Sequence, residues 1–236
     1  MPAHFFIIFL LSIIILLANT IANIKFFPYT FPMAENTLQK INEIATSEFL
    51  RKGFRGSSLR EIVKKVGVTT GAFYGYYKSK EELFSALVKP HADTVANIFG
   101  GLIEKFKQLP KEEWAANMAT FSKQGIVQIY EYAFNHKDAF RLVLNASEGT
   151  EFENFVHKMV EQEIEITHVF YKEMESQGYK PYAFDPTLEH IIISGEFSAV
   201  FELIIHDVPF ESGIKCAENI HDFYEAGWQS VLKLDK

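Results

Sequence analysis

The sequence is poor in cysteine, in hairpin turns and in net positive charge. Cys216 is the only cysteine among 236 residues, which excludes a disulfide framework, a cysteine-rich zinc site and an iron–sulfur cluster. No Asn-Gly or Asp-Gly pair occurs, and no alternating apolar stretch lies between turn residues, so β-hairpins are not expected. The net charge of −7 excludes a protein that is basic throughout but leaves room for a local basic patch.

The charges are unevenly distributed along a chain of ordinary globular composition. Apolar residues make up 48 % and charged residues 22 %, so the chain is able to bury a sizeable core. Residues 34–84 carry nine Lys or Arg against six acids, whereas residues 85–236 carry thirteen against twenty-four. A small basic segment followed by a larger acidic one predicts two parts with different roles.

Residues 1–32 form a separate hydrophobic segment, for which three interpretations stay open. An uncharged run at 5–24 is long enough to cross a bilayer as a helix. Either translation of the working protein starts at Met33 rather than at Met1, because patterned sequence begins there, or the run is a membrane anchor with Lys25 at its cytoplasmic edge. A secretory signal is the third interpretation, although the usual basic start and cleavage site are missing.

Helical spacing dominates the remaining chain, and we expect an all-α fold of about nine helices. A first helix ends near residues 52–53, and one of its faces is apolar: Leu38, Ile41, Ala45 and Phe49. Ser58 and Glu61 have the spacing of a capping box and predict a second helix at about 58–66. Gly67 suits the left-handed conformation that ends a helix.

The next two helices follow directly along the chain. Thr69 is placed to cap a short third helix at about 70–76, and the capping box at 79–82 opens a long fourth helix. Pro90 and the glycine pair at 100–101 lie inside that fourth pattern, so this helix should kink or break. Further helical patterns cover residues 114–132, 138–145, 152–178, 186–206 and 212–234.

Two short helices joined through residues 67–69 make a helix-turn-helix, whose second helix can enter the major groove of DNA. The more specific signal is the whole string at 49–84, and it resembles the TetR/AcrR family of bacterial transcriptional regulators. The matching features are Gly53-Phe54, SSLREI at 57–62, Gly67-Val68, GAFY at 71–74, Tyr76-Tyr77 and KSKEELF at 78–84. The close match covers about residues 35–84, and the rest of the chain fits the family by length and helical content.

The resemblance implies a domain organisation and a function. It implies a DNA-binding domain at 33–84, and a helical domain at 85–236 that binds a ligand and forms a homodimer. The function implied is that of a ligand-responsive regulator, most often a repressor, which binds a palindromic operator in double-stranded DNA and is released by a small effector. Such a protein is cytoplasmic and is neither an enzyme nor dependent on a cofactor. The alternative is a membrane-tethered helical binding protein or regulator, anchored by residues 5–24.

The candidate DNA contacts lie around the predicted reading helix. Ile62, Val66, Val68 and Phe73 should form the small core that fixes the two helices, which leaves the opposite face for DNA. Hydroxyls suit phosphate oxygens and base edges, and a glycine permits close approach of the backbone. The candidates are Ser58, Arg60, Thr69, Thr70, Gly71, Ala72, Tyr74, Gly75, Tyr76 and Lys80. Many family members carry a larger side chain at the position of Gly75, which puts a base contact there in doubt.

The second domain offers candidates for a pocket and for a dimer interface. An aromatic and methionine stripe either lines a cavity for a hydrophobic or amphipathic effector or is plain core: Trp114, Phe121, Tyr130, Phe134, Phe155, Met159, Phe170 and Met174. Small residues on the last two helices would permit close helix approach, either in a four-helix dimer interface or within one chain. The interface candidates are Gly195, Ala199, Ala217, Ile220, Tyr224, Gly227 and Val231.

Catalytic and metal-binding motifs are not found in the sequence. It contains no nucleophile elbow, no phosphate-binding glycine loop and no HExxH motif, so we expect no enzymatic activity. His157 and Glu161 are four residues apart on a predicted helix, and His168 lies further along it. A metal site needs further convergent ligands, which the spacing does not supply, so none is predicted.

Overall fold

The computed structural model describes residues 32–181 and 184–232 of the chain. The chain divides into two units, Met1–Thr37 and Leu38–Lys236, and the second unit contains every site discussed below. The apolar run at 5–24, and with it the choice between an anchor, a signal and a later start, lies outside the described residues. Among the described helices, none is both long and apolar enough to cross a membrane.

The described residues form nine α-helices, one 3-10 turn and no strand, which confirms the prediction of an all-α fold. The 3-10 turn lies at Lys111–Glu113, between α4 and α5. The helices are α1 (Pro32–Gly56), α2 (Leu59–Val66), α3 (Thr70–Phe73), α4 (Lys80–Lys107), α5 (Trp114–Asn135), α6 (Lys137–Asn145), α7 (Phe155–Ser176), α8 (Pro186–Ile205) and α9 (Phe210–Leu232).

The ends of α1 and α2 follow local sequence signals with one exception. Gly53 adopts φ 71° and kinks the end of α1, and Gly67 adopts φ 79° and ends α2 in the left-handed conformation. Ser58 precedes α2 as predicted, but its side chain accepts no capping hydrogen bond. The predicted capping box is therefore wrong at this position, because Glu61 binds the ammonium of Lys52 at 2.5 Å instead.

Helix α3 is shorter than the sequence pattern predicts. It begins after Thr69, whose Oγ1 accepts a hydrogen bond from the amide of Ala72 at 3.1 Å, as expected for an N-cap. It ends at Phe73 rather than near residue 76, because the amides of Gly75 and Tyr76 bond to carbonyls three residues back, at 3.2 and 2.9 Å. The chain therefore tightens into turns before α4 begins, where Ser79 Oγ accepts from the amide of residue 82 at 3.1 Å.

Helix α4 continues through Pro90 and the glycine pair at 100–101, so the prediction of a break is wrong. Buried side chains occur on both sides of the proline, at Val88 and Ala92, and continue to Phe106. A proline inside a helix removes one hydrogen bond, and here the burial of a long apolar face outweighs that loss. The result is one continuous helix of 28 residues.

Aromatic packing joins the N-terminal helices to the rest of the unit. The ring centroid of Phe84 on α4 lies 5.1 Å from that of Phe49 and 5.3 Å from that of Phe54, and 6.3 Å from that of Phe152 beyond α6. The amide of Phe54 donates to the carbonyl of Ala146 at 2.8 Å. Helix α1 therefore docks on α4 and on the segment between α6 and α7.

Small residues bring α8 and α9 together within one chain. A Cβ atom at Gly195 would lie 2.6 Å from the hydroxyl oxygen of Tyr224, which is too close for two atoms that are not bonded. Ala217 is fully buried. At these three positions of the predicted dimer interface, the structure therefore shows packing inside the protomer.

Gly195→Ala should lower the free energy of unfolding by about 1–2 kcal/mol, because the added methyl group overpacks the contact with Tyr224. In the Tyr224→Phe background the same change should be tolerated, since the next atoms of the ring lie 3.5 Å or more from the new Cβ. Urea denaturation of the four proteins gives the double-mutant cycle. Gly227→Ala, at an open position of α9, is the matched control, and equal losses for the two alanine variants would contradict the assignment.

Candidate nucleic-acid interface and ligand cavity

The helix-turn-helix is held by a small apolar core that leaves one face of α3 open. Ile62, Val66 and Phe73 are buried, and Val68 in the turn is partly buried against them, which confirms the four core positions predicted from the sequence. Because Phe73 is the inward residue of a helix of one turn, its neighbours point outward. The fold thus presents α3 as a protruding edge.

Most of the predicted DNA contacts lie on this open face. Tyr74 is 43 % exposed although it is a large aromatic residue. Tyr76 and Lys80 are only partly buried, whereas the other eight candidates are exposed: Ser58, Arg60, Thr69, Thr70, Gly71, Ala72, Tyr74 and Gly75. The structure therefore brings the exposed candidates to one part of the surface, around the N-terminus of α2 and along α3.

Lys80 already binds the protein. Its ammonium donates to the carbonyls of Phe54 and Ser57, at 2.8 and 3.0 Å, and lies 4.2 Å from the centre of the Phe54 ring. Two of its three N–H groups therefore hold the turn between α1 and α2 to the start of α4. Lys80 has a structural role that the sequence pattern did not indicate, and one N–H remains for a phosphate.

Glu48 is the buried centre of an ion-pair network that sequence reasoning missed. Its side chain is 1 % exposed and pairs with Lys52 at 2.8 Å, with Arg51 at 2.9 Å and with Lys65 of α2. Its carbonyl accepts from the hydroxyl of Ser57 at 3.2 Å. Hydrogen bonds from Lys52 and then Lys65 lower the pKa of Glu48 to about 2, against the desolvation that raises it. The carboxylate thereby clamps α2 onto α1.

This network also determines which cations remain for DNA. Lys52 and Lys65 are engaged by Glu48, and the ammonium of Lys78 donates to the carbonyl of Tyr74 at 2.8 Å. Arg60 and Lys64 of α2 are exposed and form no ion pair within the described residues. The freely available positive charge of the helix-turn-helix is therefore concentrated on α2.

A cavity in two adjacent parts lies among α4, α5, α7, α8 and α9. Its inner part is walled by phenylalanine rings on α4, α5 and α8, including Phe99, Phe121 and Phe197. Its outer part, with a volume of about 500 Å³, is lined by Phe170 and Trp228 together with polar side chains. The two parts share lining residues on α5, α7 and α8, including Ser122, Glu163 and Glu196, so they are adjacent.

Of the eight predicted pocket residues, the structure brings only Phe121 and Phe170 to this cavity. Trp114 and Met174 pack with Phe106 and Phe170 in a small separate core cluster. Tyr130, Phe155 and Met159 lie in the main core, and Phe134 is partly buried against it. None of these six residues lines the cavity. Helical spacing shows which side chains point inward, but it does not show which of them lie next to empty space.

Polar groups that the sequence analysis did not single out line the outer part of the cavity. Nδ1 of His221 lies 3.1 Å from Oε1 of Glu196, and burial followed by the negative charge of Glu196 raises the pKa of Glu163 to about 7. The pKa of His221 is lowered by burial, but its contacts with Glu196 and the nearby Glu225 raise it overall. These groups come from α7, α8 and α9, so no short motif contains them.

The outward side of α8 and α9 is apolar at positions other than those predicted. Leu188 and Ile191 on α8 are 47 % and 59 % exposed, and Phe223 on α9 is 76 % exposed. Of the predicted interface residues, Ala199 and Ile220 are partly buried, and the side chain of Val231 lies outside the described residues. Among the small residues predicted there, Gly227 is exposed, and Leu188, Ile191 and Phe223 supply the large exposed apolar side chains of the two helices.

The structure also supplies a third residue to the His157 and Glu161 pair on α7. Nδ1 of His190 on α8 lies 3.4 Å from Oε1 of Glu161, and Nε2 of His157 lies 3.8 Å from the same oxygen. The three side chains offer metal-binding atoms within 4.8 Å of one another, on the protein surface. Sequence spacing did not assemble this cluster because His190 comes from another helix.

A helix-turn-helix followed by a larger helical unit is the architecture of an all-helical DNA-binding regulator. Residues 41–87 match the family model described as bacterial regulatory proteins, tetR family. The HTH-type transcriptional regulator AcrR of Shigella flexneri is 43 % identical over 54 residues, 23 % of this chain and 25 % of that protein. The HTH-type transcriptional regulator SAR2658 of Staphylococcus aureus is 24 % identical over 172 residues, 69 % of this chain and 88 % of that protein.

The fold is shared beyond the helix-turn-helix. A crystal structure of a TetR-family transcriptional regulator from Bordetella parapertussis superposes with a TM-score of 0.58 at 17 % identity, covering 84 % of this chain and 98 % of that one. The chain spans between a quarter and about half the length of the first curated relatives it matches. The matches support a TetR/AcrR-family regulator, with the family model covering residues 41–87 and the helical fold extending behind them. The relatives named here are transcriptional regulators, and the matches indicate no enzyme family.

Glu48→Gln should lower the free energy of unfolding by about 2 kcal/mol at pH 7, since it removes charged hydrogen bonds to a buried carboxylate. The folded-state pKa lies below the unfolded value of 4.5, so the contribution is fully present above that pH and is lost as the pH falls towards 2. Urea denaturation at pH 7 and pH 3 measures both effects. Glu43→Gln on the exposed side of α1 is the control, and a loss that is independent of pH would contradict the clamp.

Proposed function

We propose that the chain is a dimeric, ligand-responsive transcriptional regulator, most simply a repressor that binds a palindromic operator. The observation that carries this proposal is the exposed face of α3, held out from the protein by the buried Phe73. In this proposal residues 33–84 bind double-stranded DNA in the cytoplasm. Residues 85–236 bind a small effector and a second copy of the chain.

The chemistry of the open face suits DNA recognition. Helix α3 offers a glycine and small side chains for close approach to base edges, with Tyr74 at its end for a phosphate oxygen. Arg60 at the start of α2 is exposed and adds a positive charge beside α3. A single subunit has few free cations, and two copies on a palindrome double the phosphate contacts, which makes dimer binding steeply dependent on salt.

Helix α4 supports the proposal that an effector controls DNA binding. Its N-terminal half carries Phe84, which packs against Phe49 and Phe54 of α1, and its C-terminal half carries Phe99 and Phe106, which line the inner cavity. A ligand that fills the cavity therefore contacts the same helix that holds the reading head. Binding that favours one position of α4 would change the spacing of the two heads of a dimer.

The exposed apolar face of α8 and α9 supports the proposed homodimer. Leu188, Ile191 and Phe223 expose large apolar side chains on the two helices, and apolar surface of this kind is usually covered by a partner. A second copy of the same pair of helices would cover it in a four-helix interface with two-fold symmetry. Such a dimer matches the symmetry of a palindromic operator.

The full-length chain should select a palindromic site from fragments of bacterial genomic DNA. Arg60→Ala and Tyr74→Ala should each weaken binding to the selected site by about tenfold, because each removes a phosphate or base contact. Fluorescence anisotropy at two salt concentrations measures the affinity, and Arg60→Ala should also reduce the salt dependence.

Lys105→Ala is the matched control, since it removes one positive charge at the other end of α4. Its affinity for DNA should equal that of the unchanged chain. Equal weakening by the control and by Arg60→Ala would indicate a non-specific charge effect. Failure to select any site from DNA, with the protein folded, would overturn the proposal.

Phe223→Glu should convert the dimer to a monomer, because two buried charges would face each other across the proposed two-fold axis. Sedimentation equilibrium measures the mass, and DNA affinity should fall along with it. Lys215→Glu, another exposed position on α9, reverses a charge without touching the apolar face and should leave the mass unchanged. A Phe223→Glu protein that remains dimeric would place the interface elsewhere.

A further inference from the structure

We propose that the cavity binds an organic cation with an apolar, aromatic body, held between Glu163 and Glu196 at the junction of its two parts. This inference rests on the proposed function, because it names the chemical class of the effector. Both carboxylates line the inner and the outer part of the cavity alike. A ligand that occupies either part therefore lies beside them.

The shape of the cavity separates an apolar end from a charged end. The inner part is walled almost entirely by phenylalanine and aliphatic side chains, and Ser122, Glu163 and Glu196 are its polar residues. The outer part adds Trp228 and Phe170, whose ring faces are suited to a positive charge. An amphiphile would place its body among the phenylalanine rings and its charged centre near the carboxylates.

The residues that line the cavity favour a positively charged ligand over a negatively charged one. Among the described residues that line either part, there is no lysine and no arginine, and three are glutamates: Glu163, Glu196 and Glu225. His221 is the only other side chain there that carries charge near neutral pH, and its Nδ1 is paired with Glu196 at 3.1 Å. A carboxylate or phosphate ligand would meet more glutamates than the one histidine can balance, in a partly buried site.

Two buried polar atoms in the outer part lack a partner within the described protein. They are Nε2 of His221, whose side chain is 4 % exposed, and the hydroxyl oxygen of Tyr171. Buried polar atoms are nearly always hydrogen-bonded in folded proteins. Both residues line the cavity beside the carboxylates, so the site has hydrogen-bonding capacity that the described protein does not use.

The raised pKa of Glu163 is consistent with a cavity that lacks a positively charged partner for this carboxylate. Burial and the charge of Glu196 raise the pKa of Glu163 to about 7, so half of its carboxyl groups are neutral near that pH. A bound cation would favour the ionised form, and its affinity should therefore rise between about pH 6 and pH 8. The titratable groups facing the site are Glu163 and Tyr171 on α7, Glu196 on α8, and His221 and Glu225 on α9, while α4 and α5 contribute none among the described lining.

The class of ligand can be tested with two probes of the same shape and opposite charge. Tetraphenylphosphonium and tetraphenylborate differ in the sign of one central charge and carry the same four phenyl rings. Isothermal titration calorimetry on the full-length chain should show binding of the phosphonium at least about tenfold tighter than binding of the borate. The preference should be larger at pH 8 than at pH 6.

Two variants test whether Glu163 and Glu196 bind the cation, and a third removes a glutamate from the protein surface as a control. Glu163→Gln and Glu196→Gln should each weaken phosphonium binding at least about tenfold, and Glu163→Gln should reduce its dependence on pH. Glu165→Gln is the matched control, because this exposed glutamate lies on the same helix and lines neither part of the cavity. Thermal unfolding of each variant confirms that it is folded.

The outcomes separate this inference from the proposed function. Equal or tighter binding of the borate, no binding of either probe, or equal losses in Glu165→Gln and Glu163→Gln would overturn the cation assignment. The same protein preparation is used for selection of a DNA site. Successful selection with no phosphonium binding leaves the regulator standing and overturns only the effector class. Phosphonium binding that depends on Glu163, with no DNA site selected, supports the cation site and overturns the regulator.

Discussion

The buried face of α4 is the constraint on which the rest of the structure depends. Over 28 residues it presents an unbroken apolar stripe, which holds the helix-turn-helix at one end and forms a wall of the cavity at the other. Phe84 packs against Phe49 and Phe54, and Phe106 packs against Trp114 and Phe121. Burial along both halves keeps Pro90 inside a continuous helix, although local propensity alone favours an interruption there.

The helix-turn-helix was predictable because its signals are local. Gly67 ends one helix, Thr69 caps the next and Phe73 supplies the inward side chain, all within seven residues of sequence. The partners of Lys80, and the contact of Glu48 with Lys65, were not predictable in this way. Lys80 binds carbonyls 23 and 26 residues away, and Glu48 reaches a lysine 17 residues away, so no helical period reveals either contact.

The residues that line the cavity were harder still to predict from the sequence. Periodicity correctly marks Trp114, Tyr130, Phe155 and Met174 as inward-facing, since all four are buried. Whether an inward side chain meets another side chain or an empty space depends on how several helices pack together. The carboxylates and the histidine at the cavity mouth come from three helices, and each of them alone has the appearance of an ordinary polar residue on a helix surface.

The two ligands of the proposed regulator are opposite in charge, and the geometry determines how they can influence each other. Phe84 is 15 residues from Phe99 and 22 residues from Phe106 on α4, which at 1.5 Å per residue places the walls of the inner cavity about 22 to 33 Å along the helix from Phe84. The screening length at physiological salt is about 8 Å, so a cation in the cavity has almost no direct electrostatic effect on DNA at α3. Coupling between the two sites must therefore pass through packing. The available routes are α4 itself and the segment after α6, where Phe54 bonds to Ala146 and Arg55 pairs with Glu148.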